Sequence, residues 1–316
     1  SRKSRKRETG VGRKKPEGQS ERDMKETLKI VLELGKARIS LPVALSALTG
    51  YVLFTGTIGV QGWWLALGVF LMSCSSGALN HWQESNIDAK MPRTQNRPIP
   101  SGKISRSGAF VIAAAFAFSG TVIFLMTNPP MATILSWATL FSYNLVYTPL
   151  KKFTAFAVIP GSLVGALPPV IGWAGAGGDL FTQDILLVSM FFFIGQIPHF
   201  WLLLLMFGDQ YKLAGLPSLN QVFNEEQIKR ITFTWVLTTL AAGLLVIFFV
   251  VKSQLIMFLL LLYSLYLLYS LSVAVFSVDK FRVRPAFFRL NMLYLFMMFL
   301  LIADSLLRNV SLMANI

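Results

Sequence analysis

Apolar runs long enough to cross a bilayer recur along the whole chain, and nothing else in the sequence limits its fold so strongly. About nine are legible, near 39–58, 62–80, 108–127, 129–148, 154–175, 184–207, 231–251, 255–276 and 286–307. Each approaches the roughly 20 residues that a helix needs to traverse about 30 Å of hydrocarbon. Composition agrees. The chain is 54% hydrophobic and only 14% charged, with a mean hydropathy of +0.59, whereas a soluble domain carries about a quarter charged residues. The sequence reads as an all-α, polytopic transmembrane helical bundle of about nine spans.

The first apolar run begins only near Ile39 and is already a full span, so no cleavable signal peptide is expected. The single cysteine, Cys74, lies inside the second run. One thiol excludes an intramolecular disulfide, a CxxC redox pair and CxxCH haem attachment, and leaves packing as its role.

A net charge of +14 would suit nucleic acid, but the charges are placed otherwise. With the N-terminus in the cytoplasm, nine spans put all 29 lysines and arginines except Lys252 and Arg308 on inward segments. That is the positive-inside bias, which sets orientation and favours anionic lipid; no nucleic-acid partner is expected. Residues 1–23 form a basic tail expected to be disordered. Residues 24–38, MKETLKIVLELGKAR, place Leu28, Val31, Leu32 and Gly35 on one face and read as an amphipathic helix at the inner interface. Residues 39–316 form the transmembrane domain.

Between the second and third runs stands NHWQESNIDAKMPRTQNRPIPSGKIS, residues 80–105. Asn80, Glu84 and Asp88 are spaced i, i+4, i+8, so a continuing helix stacks them on one face at the inner surface. An amide and two carboxylates so placed can hold a hard divalent cation with positions to spare, as Mg²⁺ is kept beside a diphosphate. Arg93, Gln95, Asn96 and Arg97 follow as donors for phosphate oxygens, and Pro92, Pro98 and Pro100 forbid a regular helix there. A juxtamembrane loop kept only for orientation would account for the arginines but not for acids at helical spacing.

A second polar point follows the sixth run, where Asp209 and Tyr211 stand with Lys212. Two acidic sites facing each other across a bundle can bind two metal ions or share one diphosphate, so Asp209 joins Glu84 and Asp88 as a candidate metal ligand. The chain has two histidines. His81 adjoins the first acidic motif, and His199 lies within the sixth run, about 15 Å of helix rise before Asp209. A histidine at lipid depth either bonds a neighbouring helix, ligates haem iron or contacts a substrate. Tyr143, Tyr147, Lys151 and Lys152 form a further cluster, in which the lysines serve topology or an anionic ligand. Gly161 and Gly165 have the GxxxG spacing of close helix approach.

The stretches NIDAKMPRTQNRPIPSGKIS, YTPLKKFT, GALPPVIGWAG and IPHFW with DQYKLAGLPSL, in this order, resemble the protoheme IX farnesyltransferase (haem O synthase) family of the UbiA-type superfamily. The resemblance implies nine helices around a central cavity, Mg²⁺ as cofactor, and farnesyl transfer from farnesyl diphosphate to a vinyl group of protoheme IX with addition of water. It places the first acidic motif on Asn80, Glu84 and Asp88, with Glu84 and Asn86 where aspartates are usual. The diphosphate donors fall on Arg93, Asn96 and Arg97, joined by Lys151 and Lys152. The second motif is reduced to Asp209 and Tyr211, with Gly208 and Gln210 departing from the pattern. It also implies haem as a ligand for His199, and haem A synthase or oxidase assembly factors as candidate partners; the expected location is the cell (inner) membrane, with the charge bias placing the N-terminus and active-site loops in the cytoplasm. Two other classes share parts of the pattern: a UbiA-type transferase for a quinone precursor, and a polytopic transporter, which would place ionisable groups near mid-bilayer.

Overall fold

The computed structural model describes residues 17–217, 221–276 and 282–314. Up to residue 16, the tail expected over 1–23 lies outside the described residues. Helix α1 (Glu17–Leu34) meets a turn at Gly35 and Lys36, and α2 (Ala37–Thr55) follows at once. The helix expected over 24–38 therefore starts earlier and stops sooner. Its stop is a backbone event, because Lys36 sits at φ 49°, ψ 45°, the left-handed region that side chains other than glycine rarely adopt. The expected apolar face also divides. Met24, Leu28 and Leu32 form an exposed stripe, whereas Leu34 and Gly35 turn inward onto Ala78 and Cys74.

Helix α3 (Gly59–Asp88) has 30 residues, about 45 Å of rise against some 30 Å of hydrocarbon. Its last turns therefore stand clear of the lipid core, which is why a polar motif can occupy them. A turn-rich loop, 89–105, leads to α4 (Arg106–Thr127), whose first turn is capped by Ser105 accepting from Gly108 N at 3.0 Å. Helix α5 (Pro130–Phe141) passes without a break into a π-helix (Ser142–Tyr147) and a closing turn, α6 (Thr148–Leu150). The span expected at 129–148 is thus helical but not one regular α-helix. Then come α7 (Val158–Gly175), α8 (Gln183–Met206), the short α9 (Gly208–Leu213), α10 (Glu225–Phe249), α11 (Gln254–Phe276) and α12 (Val283–Ala314). Among the described residues, eight helices are long and apolar enough to cross a membrane, and the composite from Pro130 to Leu150 corresponds to the fourth expected span, the one that these eight leave out.

Two hydrophobic cores organise the bundle. One joins α2 and α3 with α4, α5 and α7 around Leu65, Phe124 and Ile171. The other joins α8, α10, α11 and α12 around Phe191, Val246, Leu260 and Leu290. They meet where α2 crosses α7 and where α12 lies on α2 and α8. At the first crossing the backbones touch: a Cβ at Gly172 would lie 1.7 Å from Ala47 O, and one at Gly50 would lie 1.9 Å from Pro169 O. The GxxxG pair serves otherwise. Gly161 makes room for the Tyr147 ring and Gly165 for the Gln196 side chain.

On α12, Asp304 is fully buried and accepts from Lys252 N at 3.1 Å and Ser253 N at 2.7 Å, just ahead of α11. It satisfies amides that would otherwise lack a partner at a helix start. Outward, large apolar side chains such as Phe118, Leu125, Phe258 and Leu265 are exposed along the spans. With no water face to explain them, they face lipid, and the chain is a multi-pass membrane protein.

Candidate active site

The end of α3 presents Asn80, Glu84 and Asp88 along one face, and all three are buried, Asp88 to 1% exposure. Asn86, half a turn away, is exposed, so its departure from the family pattern does not touch the site. Buried carboxylates need partners, and these have cations. Asp88 takes both oxygens of its carboxylate to Arg97 Nη1, at 2.8 Å each. Thr94 Oγ1 donates to Asp88 O at 2.9 Å and ties the loop back onto the helix end. Glu84 Oε2 accepts from Asn80 Nδ2 at 2.9 Å and from Lys151 Nζ at 2.7 Å. Glu84 Oε1 lies within 2.7 Å of the same ammonium as an ion pair but accepts no hydrogen bond. Burial is the largest single influence and would lower Lys151, but the Glu84 carboxylate and, behind it, Tyr147, Tyr143 and Tyr211 together outweigh it and hold the ammonium well above the ordinary lysine range.

Lys151 reaches this position because the π-helix shifts the register of the chain before it. Asn144, buried within that turn, donates to Ser76 O and Gln83 Oε1 at 3.1 Å each, accepts from Ser76 Oγ at 2.8 Å, and its backbone carbonyl accepts from Gln83 Nε2 at 2.9 Å. Thus pinned to α3, the turn directs Thr148 toward Asn80 and stacks Tyr143 and Tyr147 beside Lys151, whose Nζ stands 5.6 Å over the Tyr147 ring.

Lys36 completes the cluster, and sequence reasoning did not single it out. From the left-handed turn between α1 and α2 its Nζ donates to Asn80 Oδ1 at 2.5 Å. Burial, then the positive Arg97 and Lys151, pull its pKa down to about 7 against the opposing pull of Glu84 and Asp88. Three cationic side chains thus face two carboxylates, and the marginal charge belongs to Lys36. An arriving anion would restore it. Nothing in the sequence separates Lys36 from the other basic residues that orient the first span.

The remaining candidates divide. Arg93 is exposed, with its guanidinium 4.4 Å over the Phe207 ring and its backbone N donating to Gln210 Oε1 at 3.2 Å. Asn96 and Lys152 are exposed and not drawn into the cluster. Asp209 is exposed as well. Among the described residues no three His, Cys, Asp or Glu side chains stand together, so Glu84, Asp88 and Asp209 do not form one ligand set. The reason is local: α8 ends at Met206, and Phe207, at φ −125° and ψ 16°, redirects the chain into α9. The second motif meets the first through Gln210 and through Tyr211, which packs with Ile87, Met91, Ala214 and Leu216. Gln210 stands where the acidic pattern has another acid, so its residue type does not mark it as part of the site. His199 lies about two turns, some 10 Å, before the end of α8 rather than 15 Å from Asp209 along one helix. Ring contacts link it to the acidic cluster, with Tyr147 tilted against Phe200 at 5.5 Å and Phe200 edge-on to His199 at 5.5 Å, and Phe287 lies 5.0 Å from His199.

Comparison with known proteins bears on this arrangement. Residues 39–300 match the model of the UbiA prenyltransferase family. The chain belongs to the UbiA prenyltransferase family. Relatives named protoheme IX farnesyltransferase occur in Oleidesulfovibrio alaskensis, 39% identical over 60% of this chain and 67% of theirs, and in Geobacter sulfurreducens, 36% identical over 59% and 68%. A third, from Anaplasma phagocytophilum, is 40% identical over 60% of this chain and 64% of its own length. Solved UbiA-type folds superpose over nearly their whole length. A digeranylgeranylglyceryl phosphate synthase covers 89% of this chain with a TM-score of 0.71, and an Archaeoglobus fulgidus UbiA homologue bound to GPP and Mg²⁺ covers 87% with 0.66, each at 16% identity. At that identity they establish the UbiA fold. Apart from Lys36, the acid–cation cluster lies inside the family match, on α3, the loop after it and the turn before α7.

Proposed function

We propose that the chain transfers the farnesyl group of farnesyl diphosphate to a vinyl group of protoheme IX, with addition of water, giving haem O and diphosphate. The observation that carries this reading is the buried cluster of Glu84 and Asp88 with Lys36, Arg97 and Lys151, joined by rings to His199. The names of the relatives supply the acceptor.

The cluster fits Mg²⁺. Glu84 Oε1 is a buried carboxylate oxygen without a hydrogen bond, and hard oxygen donors are what the ion takes. Glu84 and Asp88 would hold it, with Asp209 outside the set. The chemistry it supplies there is neutralisation of charge on the departing diphosphate. Arg97 and Lys151 then turn from their carboxylates, and Lys36 from the Asn80 amide oxygen, to diphosphate oxygens, and Arg93 reaches them from the loop. As the allylic C–O bond breaks, its electron pair leaves with the diphosphate. Tyr143, Tyr147 and Phe200 offer ring faces to the farnesyl cation and exclude water from it. The vinyl π-electrons form the new C–C bond, water adds to the carbon left positive on the porphyrin side, and one proton is lost. The restriction of nearly all basic residues to alternate loops supports an inner-membrane enzyme with its N-terminus and the loop after α3 in the cytoplasm.

Incubation of the purified chain with haem, farnesyl diphosphate and Mg²⁺ should give a porphyrin heavier by one farnesyl group and one hydroxyl, read by mass. Release of diphosphate only when an aromatic acid replaces haem would overturn the acceptor. Lys36→Met keeps the length of the side chain and removes its charge. Loss of one charge-assisted contact, about 1.5–3 kcal/mol, should raise KM for farnesyl diphosphate about 10- to 100-fold with a smaller effect on kcat. An unchanged KM in steady-state assays removes Lys36 from the diphosphate site.

A further inference from the structure

The π-helix between α5 and α6 leaves one backbone group without a helical partner, and the residue that answers it comes from α3. In a π-turn each carbonyl accepts from the N–H five residues on, as Tyr143 O does from Thr148 N. The next carbonyl, Asn144 O, would look to residue 149. That residue is Pro149, which has no N–H. Gln83 Nε2 supplies the missing donor at 2.9 Å. The same amide turns its Oε1 to Asn144 Nδ2 at 3.1 Å, so Gln83 grips residue 144 by main chain and side chain together. Neither amide can be turned over. Asn144 O and Ser76 O accept only, so Gln83 Nε2 and Asn144 Nδ2 must face them. The turn is buried at Asn144, where an unanswered carbonyl is costly.

Ser76, Asn80 and Gln83 share one face of α3, and Glu84 adjoins them. The grip on the turn and the polar motif therefore belong to one rigid helix. From Asn144 the chain passes Thr148, whose Oγ1 lies 3.5 Å from Asn80 Nδ2, and reaches Lys151. There the backbone N donates to Tyr147 O at 3.0 Å and Nζ meets Glu84 Oε2 at 2.7 Å. We propose that Gln83 is a positioning residue for diphosphate binding. By answering the carbonyl that Pro149 leaves open it fixes the π-turn, and the π-turn sets where Lys151 stands against α3. Both bonds of Gln83 go to residue 144, so it acts on the site through the turn. The hold on Lys151 stands on these bonds alone; the role toward diphosphate rests on the proposed function.

Binding of labelled farnesyl diphosphate with Mg²⁺, without haem, to the full chain in detergent tests the proposal. Lys151→Met should weaken binding about 10- to 100-fold, as loss of a charge-assisted contact does. Gln83→Met keeps the length of the side chain and loses both bonds; it should weaken binding about tenfold through misplacement of the ammonium. Asn144→Ala, from the other side of the grip, should act in the same direction. In the Lys151→Met background neither substitution should add more than about twofold. A merely structural role would weaken binding by the same factor in both backgrounds. Normal affinity of Gln83→Met, or a loss undiminished without Lys151, overturns the proposal. A second readout needs no substrate. Modification by an amine-reactive reagent, read by mass, compares Lys151 with its exposed neighbour Lys152. Lys151 should react more slowly in the unaltered chain, and Gln83→Met should bring the two rates together. An unchanged ratio overturns the positioning. Should the ratio shift as stated while the unaltered chain binds no farnesyl diphosphate, the diphosphate reading falls and the hold of Gln83 on Lys151 remains.

Discussion

Glu84→Gln and Asp88→Asn should each lower haem O formation by at least about a hundredfold, the loss typical of removing one preorganised electrostatic group. Both substitutions keep size and hydrogen-bonding capacity and remove one negative charge. Asn80 and Thr94 retain their partners, so α3 and the loop that folds back on it should persist. What changes is charge. With Lys36, Arg97 and Lys151 facing a single carboxylate, the cluster repels a divalent cation. Truncation to alanine is the harsher variant, because it strands Arg97 or Lys151 in a largely buried setting, where breaking a pair costs about 3–5 kcal/mol. Product mass on purified, monodisperse protein separates lost chemistry from lost fold. Near-normal haem O from either amide variant would remove that carboxylate from the proposed metal site.

The second large effect is on assembly. Gly172→Ala should destabilise the bundle by more than about 3 kcal/mol, above the usual range for an overpacked core, and Gly50→Ala should do nearly as much. The added methyl of Gly172→Ala would stand 1.7 Å from Ala47 O and 2.8 Å from Tyr51 N, and that of Gly50→Ala 1.9 Å from Pro169 O. These neighbours are backbone atoms within helices, which cannot rotate aside as a side chain does, so α2 and α7 must separate. Gly243→Ala is the control, since its methyl would meet Phe191 Cε2 at 3.3 Å. Unfolding in detergent at graded SDS should show early loss for the first two variants and near-normal behaviour for the third. Equal stability of all three would mean that α2 and α7 do not cross at these glycines.

Much of this was legible in the residues. Span lengths gave the bundle, and four-residue spacing placed Asn80, Glu84 and Asp88 on one buried face because helix periodicity is a local property. Legibility failed where position depends on a distant turn. Asp209 and Lys152 carry the right chemistry for their expected roles, yet the redirection at Phe207 and the turn after Leu150 leave both exposed. Lys36, Asn144 and Gln210 were invisible for the converse reason: each is chemically ordinary, and only the packing of separate helices gives it a task. Gly50 and Gly172 belong with them, since the familiar spacing of Gly161 and Gly165 drew attention away from the glycines at which two backbones meet.

The left-handed turn at Lys36 ties two environments together. It leaves no slack between a helix with Met24, Leu28 and Leu32 on its exposed side and the amine that rests on Asn80. A linker so short cannot absorb a tilt of one without displacing the other. The placement of a charge inside the protein is consequently anchored from its periphery, much as a tiller outside a hull sets the rudder beneath it.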